Sequence, residues 1–223
     1  MRYRFCNIAA VTIVLAAIAG TAQANSLVTN GSFENTTNFV GNGDDTMVVN
    51  AGDSTTMPGW AVVGGSLAWI GPTNDFGLTA QNGGYFLDLT GYRDAVPYAG
   101  VTQSITTVSS DRYLLSFYLG SSSIYGTPDA ITASAGSASH TFTSTLTGTN
   151  NWELETLAFT ATGSSTLISL IGYSGEKYIG LDNVSVAQTP LPSTWTMLIA
   201  GFVGLGFFAY RGTKKNAASL AAT

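Results

Sequence analysis

The sequence predicts an all-β fold, a jelly-roll β-sandwich framed by two apolar terminal segments. Three observations carry that expectation. Between residues 25 and 188 no stretch of three turns sustains a 3.6-residue apolar period, so no amphipathic helix is written there. The same region breaks into short runs that alternate or are uniformly apolar, each about the length of a strand. Turn residues separate the runs, among them Gly64-Gly65, Asn82-Gly83-Gly84, Gly136-Ser137, Asn150-Asn151 and Gly163-Ser164. Many short strands at such spacing indicate a sandwich or barrel rather than βαβ units.

The chain opens with Arg2 and Arg4, an apolar run from Ile8 to Ala19, and the small-x-small triplet Ala22-Gln23-Ala24. These are the three parts of a secretory signal peptide over residues 1–24. The apolar run falls short of the roughly 20 residues a membrane span requires, so cleavage after Ala24 is expected rather than anchoring. Asn38 to Thr56, holding Asp44, Asp45 and Asp53, reads as a long surface loop. Strands are expected at Trp60–Val63, Leu67–Ile70, Tyr85–Leu89, Val101–Thr106, Tyr113–Leu119, Ala130–Ala135, His140–Leu146, Trp152–Thr162, Thr166–Tyr173 and Ile179–Ala187. Within the fifth of these, Tyr113, Leu115, Phe117 and Leu119 share one face, the expected core. Trp60, Trp69 and Trp152 are expected as core residues at strand starts.

Thr189-Pro190-Leu191-Pro192 closes the domain, because prolines cannot join a central ladder and favour an extended linker. The remaining tail, residues 189–216, contains the second apolar segment, Thr194 to Tyr210. At about 1.5 Å per residue it reaches roughly 26 Å, enough for a thin bilayer core, and predicts one transmembrane helix over 194–210. Arg211, Lys214 and Lys215 follow at once and mark the cytoplasmic side, which leaves the sandwich outside.

Charge and cysteine usage narrow the function. All 13 acidic residues lie between Glu34 and Asp182, against Arg93, Arg112 and Lys177 in the same stretch. An acidic domain of this kind excludes nucleic acid, whose phosphates need clustered Lys and Arg. The single cysteine, Cys6, falls in the signal segment, so the mature domain has no internal disulfide and must rely on its core or on a metal. Catalytic sets are not evident. His140 is the only histidine, no nucleophile elbow surrounds a serine, and zinc ligands are lacking. Glu153 and Glu155 share one strand face, as a glycosidase pair or a solvated face would. Gly201-x-x-Gly204-x-Gly206 lies in an apolar span with no preceding strand and is no dinucleotide fingerprint.

Two resemblances add to this reading. Pro190-Leu-Pro192, Ser193-Thr-Trp-Thr-Met197 and Gly204-Leu-Gly-Phe-Phe-Ala-Tyr-Arg211 resemble the PEP-CTERM sorting signal of exosortase-processed bacterial proteins. Leu191 stands where that family has Glu. The resemblance implies Pro190, Leu191 and Pro192 as the sorting motif and an exosortase-type enzyme as partner. It further implies anchoring in the inner membrane before transfer to the cell envelope or the extracellular matrix.

The domain resembles, more loosely, the galactose-binding-like jelly rolls of carbohydrate-binding modules. The landmarks are Asn30-Gly-Ser-Phe-Glu34, Pro58-Gly-Trp60, Phe86-Leu-Asp-Leu-Thr-Gly91 with Gln103 beyond it, and Leu181-Asp-Asn-Val-Ser-Val186. In the resembling modules a structural calcium ties the opening Glu to the closing Asp. By position these are Glu34 and Asp182, with carbonyls near Gly31; two polar residues capping turns at strand ends is the alternative. Sugar binding would rest on loop aromatics and the polar groups beside them, here Tyr92, Arg93, Asp94, Tyr98 and Tyr125. The expectation is thus an exported, non-enzymatic structural or glycan-binding protein of the envelope or polysaccharide matrix. A hydrolase of matrix glycans or esters, or a passive surface adhesion subunit, is the alternative.

Overall fold

The computed structural model describes residues 26–91, 96–125, 127–146, 151–174, 178–189, 197–207 and 210. The signal segment, Tyr92, Arg93, Asp94 and the Pro190-Leu191-Pro192 motif lie outside the described residues.

The expected strands form two antiparallel sheets. One has the order β1 (Thr46–Val49), β3 (Leu67–Ile70), β4 (Phe86–Asp88), β11 (Gly180–Gln188), β6 (Arg112–Ser121), β9 (Asn151–Thr160). The other runs β2 (Ala61–Gly64), β5 (Ala99–Thr106), β10 (Ser165–Ser174), β7 (Asp129–Ala135), β8 (Ala138–Ser144). Sequence neighbours repeatedly fall in opposite sheets, the wiring of a jelly-roll sandwich. One expectation is corrected: the segment 38–56 is not all loop, because Thr46-Met-Val-Val49 pairs with β3 as an edge strand. Its apolar run was hidden by flanking Gly and Asp, and this four-residue edge strand buries only its two ends, Thr46 and Val49.

The core follows the period-2 pattern. Tyr113, Leu115, Phe117 and Leu119 point inward and are 0–3% exposed. They meet Ile131, Ala133 and Ala135 of β7 and Ile168 and Leu170 of β10 from the opposite sheet. Trp60 and Trp69 are fully buried, as expected. Trp152 is corrected: it lies half-buried on the outer face of its sheet. There its ring covers the backbone of Gly120, where any Cβ would overlap the indole. Its Nε1 donates to the Thr79 carbonyl at 2.9 Å. The reason is register: Trp152 pairs with Gly120, an outward position on β6.

The opening segment is stitched between the sheets rather than paired as a full strand. Leu27 N–H donates to Val186 O at 2.8 Å, while the Gln103 side chain takes both the N–H (2.7 Å) and the C=O (2.9 Å) of Thr29. In the tail a helix covers residues 197–207, with its apolar side chains exposed. Among the described residues no helix is long and apolar enough to cross a membrane. The described helix falls inside the expected span of residues 194–210, whose residues 194–196, 208 and 209 lie outside the described residues.

Candidate functional site

Two features of the sandwich bring chemistry-bearing residues together. The first joins the opening and closing motifs. Asn30 and Phe33 take positive φ values of 54° and 59°, a tight turn that buries the Phe33 ring against Trp60 with centroids 5.7 Å apart. The Trp60 indole holds that turn by donating to Asn30 O at 2.9 Å, and Val184 N–H donates to Gly31 O at 2.8 Å. The turn thus delivers Glu34 beside β11, where the ladder breaks between Asp182 and Ser185.

Glu34 and Asp182 then grip one loop, residues 81–85, which leads into β4. Asp182 Oδ2 accepts from Gln81 N (2.8 Å) and Asn82 N (2.9 Å), and its Oδ1 accepts from Asn183 N (2.6 Å). Glu34 Oε1 accepts from Gly84 N (2.9 Å) and Tyr85 N (2.8 Å). The expected pair is brought together, both members serving as caps for backbone donors. Burial pushes the Asp182 carboxyl up to about 7 against those three N–H donors, and the Glu34 charge adds to the rise. Glu34 Oε2 accepts no hydrogen bond among the described residues. Two neighbouring carboxylates with no described basic partner and an unused oxygen suit a hard cation in charge and donor type.

The second feature is an aromatic end. β4 and β6 finish and β11 begins at one end of their sheet, as the row Ala68–Asp88–Gly180–Gly120–Trp152 shows. At the same end β10 finishes and β5 and β7 begin, joined through Leu89 to Ile179 and Ala99. Segment 72–84 crosses the outer face there and is tied down by Trp152, by Ser122 Oγ on Phe76 O, and by Asp182. Beneath it Tyr178 is 3% exposed and contacts Phe76 and Phe86, each with centroids 6.2 Å away. Tyr125 stacks on Tyr178 at 5.8 Å and 10° and is itself half-buried. The Tyr178 hydroxyl is buried with no hydrogen-bond partner among the described residues. Burial first, then Asp88 and Tyr125, push its phenol well above the usual range. Tyr173, 64% exposed, and Ile124, 59% exposed, flank the same end.

Of the expected sugar-binding residues, Tyr125 sits at this end as a stacking surface. Tyr98 is at the end as well, but it packs half-buried on the main core against Gly172. Sequence reading missed Phe76, Tyr173 and Tyr178. Tyr178 follows Glu176-Lys177 and has no apolar run before it, so only tertiary packing marks it. The lateral pair also resolves: Glu153 and Glu155 share the inward side of edge strand β9. Burial first, then Glu153, raise the Glu155 carboxyl, while His140 opposes. His140 is exposed on edge strand β8, edge-on to Phe142 at 4.6 Å, and among the described residues no serine or threonine hydroxyl bonds it.

A family model described as "Protein of unknown function (DUF642)" matches residues 26–185. Halomucin of Haloquadratum walsbyi is 28% identical over 196 residues, 84% of this chain, and the chain spans 2% of that protein's length. Among solved structures the chain is similar to carbohydrate-binding modules. TmCBM61, solved with β-1,4-galactotriose, is 15% identical with a TM-score of 0.47, over 74% of this chain and 100% of that one. The CBM22-1 xylan-binding domain of Xyn10C from Paenibacillus barcinonensis is 17% identical with a TM-score of 0.39, over 65% and 94%.

Proposed function

The chain belongs to the family described as protein of unknown function (DUF642), and from its own geometry we propose that it is an exported, non-catalytic module that binds uncharged glycan at its aromatic end. The observation that carries this reading is the Tyr125–Tyr178 stack. Tyr125 is backed by a buried ring on one side and keeps part of its amphipathic ring accessible, the kind of surface a sugar ring stacks on. The acidic domain repels anionic polysaccharides, which favours neutral ones. His140 lies exposed on an edge strand and, among the described residues, bonds no serine or threonine hydroxyl, which favours binding over turnover. The match to a small part of Halomucin is what a portable module gives.

Affinity electrophoresis of the full chain through neutral polysaccharides tests this. Tyr125→Ala is expected to weaken retention about tenfold, the loss of roughly 1.4 kcal/mol of stacking. His140→Ala should leave it unchanged. Equal retention of wild type and Y125A on every polysaccharide that binds would remove the assignment.

The same proposal extends to the tail and to calcium. The signal segment, the resemblance of residues 190–211 to a PEP-CTERM signal and the basic residues after Tyr210 support export and inner-membrane anchoring. An exosortase-type enzyme would then release the module to the envelope or matrix, where it serves a structural or glycan-binding role. Deleting residues 194–211 is expected to shift the protein from the membrane fraction to the soluble exported fraction; unchanged fractionation would count against the anchor. Glu34 and Asp182 would hold a structural calcium, adding positive charge where two carboxylates now share one loop.

A further inference from the structure

Among the described residues three carboxylates are buried, and the fold treats one of them differently. Asp88, 4% exposed, accepts hydrogen bonds from Thr90 N, Thr90 Oγ1 and Ile179 N at 2.8–3.0 Å. Asp182, fully buried, accepts three backbone N–H groups. Asp129 is equally buried at 0% exposed, yet among the described residues neither carboxylate oxygen accepts a well-formed hydrogen bond.

Register defines what surrounds it. Asp129 opens β7 on the inward face, two residues before the core residue Ile131. Its neighbour on β8 is Ser144, fully buried, whose Oγ accepts only a long bond of 3.3 Å from Leu146 N. From the opposite sheet comes Ser121, the last residue of β6, two residues beyond the core residue Leu119 and also fully buried. Among the described residues the Ser121 Oγ makes no well-formed hydrogen bond either. Burial drives the Asp129 carboxyl up to about 7, opposed only by the nearby Ser121 hydroxyl. No neighbouring acid adds to that rise, which leaves a single negative charge.

An ionised carboxylate without donors is costly in a protein interior and is found paired or coordinating a metal. All the polar atoms here are hard oxygens, which suit alkali and alkaline-earth ions and not soft metals. Charge decides between those classes. One carboxylate with a monovalent ion is neutral, whereas a divalent ion would leave a buried positive charge. We propose that Asp129, Ser121 and Ser144 form a buried site for a monovalent hard cation of the sodium class, clamping the two sheets beneath the segment that carries Tyr125. It depends neither on glycan binding nor on calcium at Glu34 and Asp182.

The test is thermal unfolding of the full chain at pH 8 with excess chelator, in sodium chloride and in choline chloride at equal ionic strength. The chelator removes calcium from both arms. Wild type is expected to melt about 4 °C higher in sodium, the mass-action gain from an ion bound only by the folded state. Asp129→Asn, which keeps the volume and removes the charge, should melt alike in the two salts and above wild type in choline. Ser121→Ala, keeping the carboxylate, should reduce the sodium gain. Equal wild-type midpoints in the two salts, a full sodium gain in D129N, or a gain produced by calcium alone and lost in D129N would overturn the assignment. So would a wild type indifferent to sodium but stabilised by acid through Asp129, the mark of a protonated carboxyl. Loss of the calcium response in a chelator titration of Asp182→Asn fails or succeeds separately from all of these.

Discussion

Gly31→Ala is expected to cost roughly 4 kcal/mol or more and to leave little folded domain at 37 °C. A Cβ at position 31 would overlap the carbonyl oxygen of Val184, with Val184 C at 3.0 Å and a Val28 methyl at 3.3 Å. The obstacle is backbone of β11, at the break in its ladder with β6, and backbone cannot rotate away as a side chain would. Moving the turn instead breaks the 2.8 Å bond from Val184 N to Gly31 O and displaces the fully buried Phe33. Gly163→Ala is the control, because its Cβ would meet nothing closer than Ser165 O at 4.0 Å. Urea denaturation followed by tryptophan fluorescence reads both. A G31A midpoint within error of G163A would show that the turn is adjustable and that the opening motif does not lock onto β11.

The second large effect is expected at Asp182. Alanine there removes the acceptor of three backbone N–H groups, those of Gln81, Asn82 and Asn183, at a site with no water access for the carboxylate itself. The cost is about 3 kcal/mol, the penalty of stranding partly buried donors. The consequence is local before it is global: segment 72–84 loses one of its ties and should become the preferred site of limited proteolysis. In wild type, added calcium should raise the unfolding midpoint by several degrees and a chelator should lower it, with no calcium response in D182A. A D182A protein as stable and as protease-resistant as wild type would end the pinning role. A wild type indifferent to both calcium and chelator would end the metal role and leave the capping role standing.

Much of the fold was legible because one face of each strand is buried and alternation exposes it. Tyr113 through Leu119 is the plainest case: four inward residues in period 2 specify both a strand and its register. The opening and closing motifs were legible as a pair through resemblance, and Glu34 and Asp182 do share one loop. Their immediate partners were not legible, since Gln81, Asn82, Gly84 and Tyr85 contribute backbone N–H groups, which carry no side-chain signature. β1 went unread because Thr46-Met-Val-Val49 is too short for its period to stand out from flanking turn residues. Trp152 went unread because a half-buried aromatic on an outer face has the same local pattern as one in the core; its pairing with Gly120 decided the matter.

By itself the amino-acid sequence determined the class of the domain, the positions of every strand but β1, the acidic charge that excludes nucleic acid, and the apolar character of both chain ends. Those properties are local: they follow from periodicity, turn chemistry and composition within a few residues. Only the tertiary structure decided which polar groups are alone. Asp88, Asp129 and Asp182 all stand in or beside strand runs, and the donors close in sequence, Thr90 for Asp88 and Asn183 for Asp182, supply only part of what sorts them. The rest comes from groups 91 to 101 residues away or on the opposite sheet, such as Ile179 for Asp88, Gln81 for Asp182 and Ser121 for Asp129. Hydrogen-bond satisfaction is a property of three-dimensional neighbours, so the donors that two of these acids have, and the third lacks, appear only when the sheets close on each other.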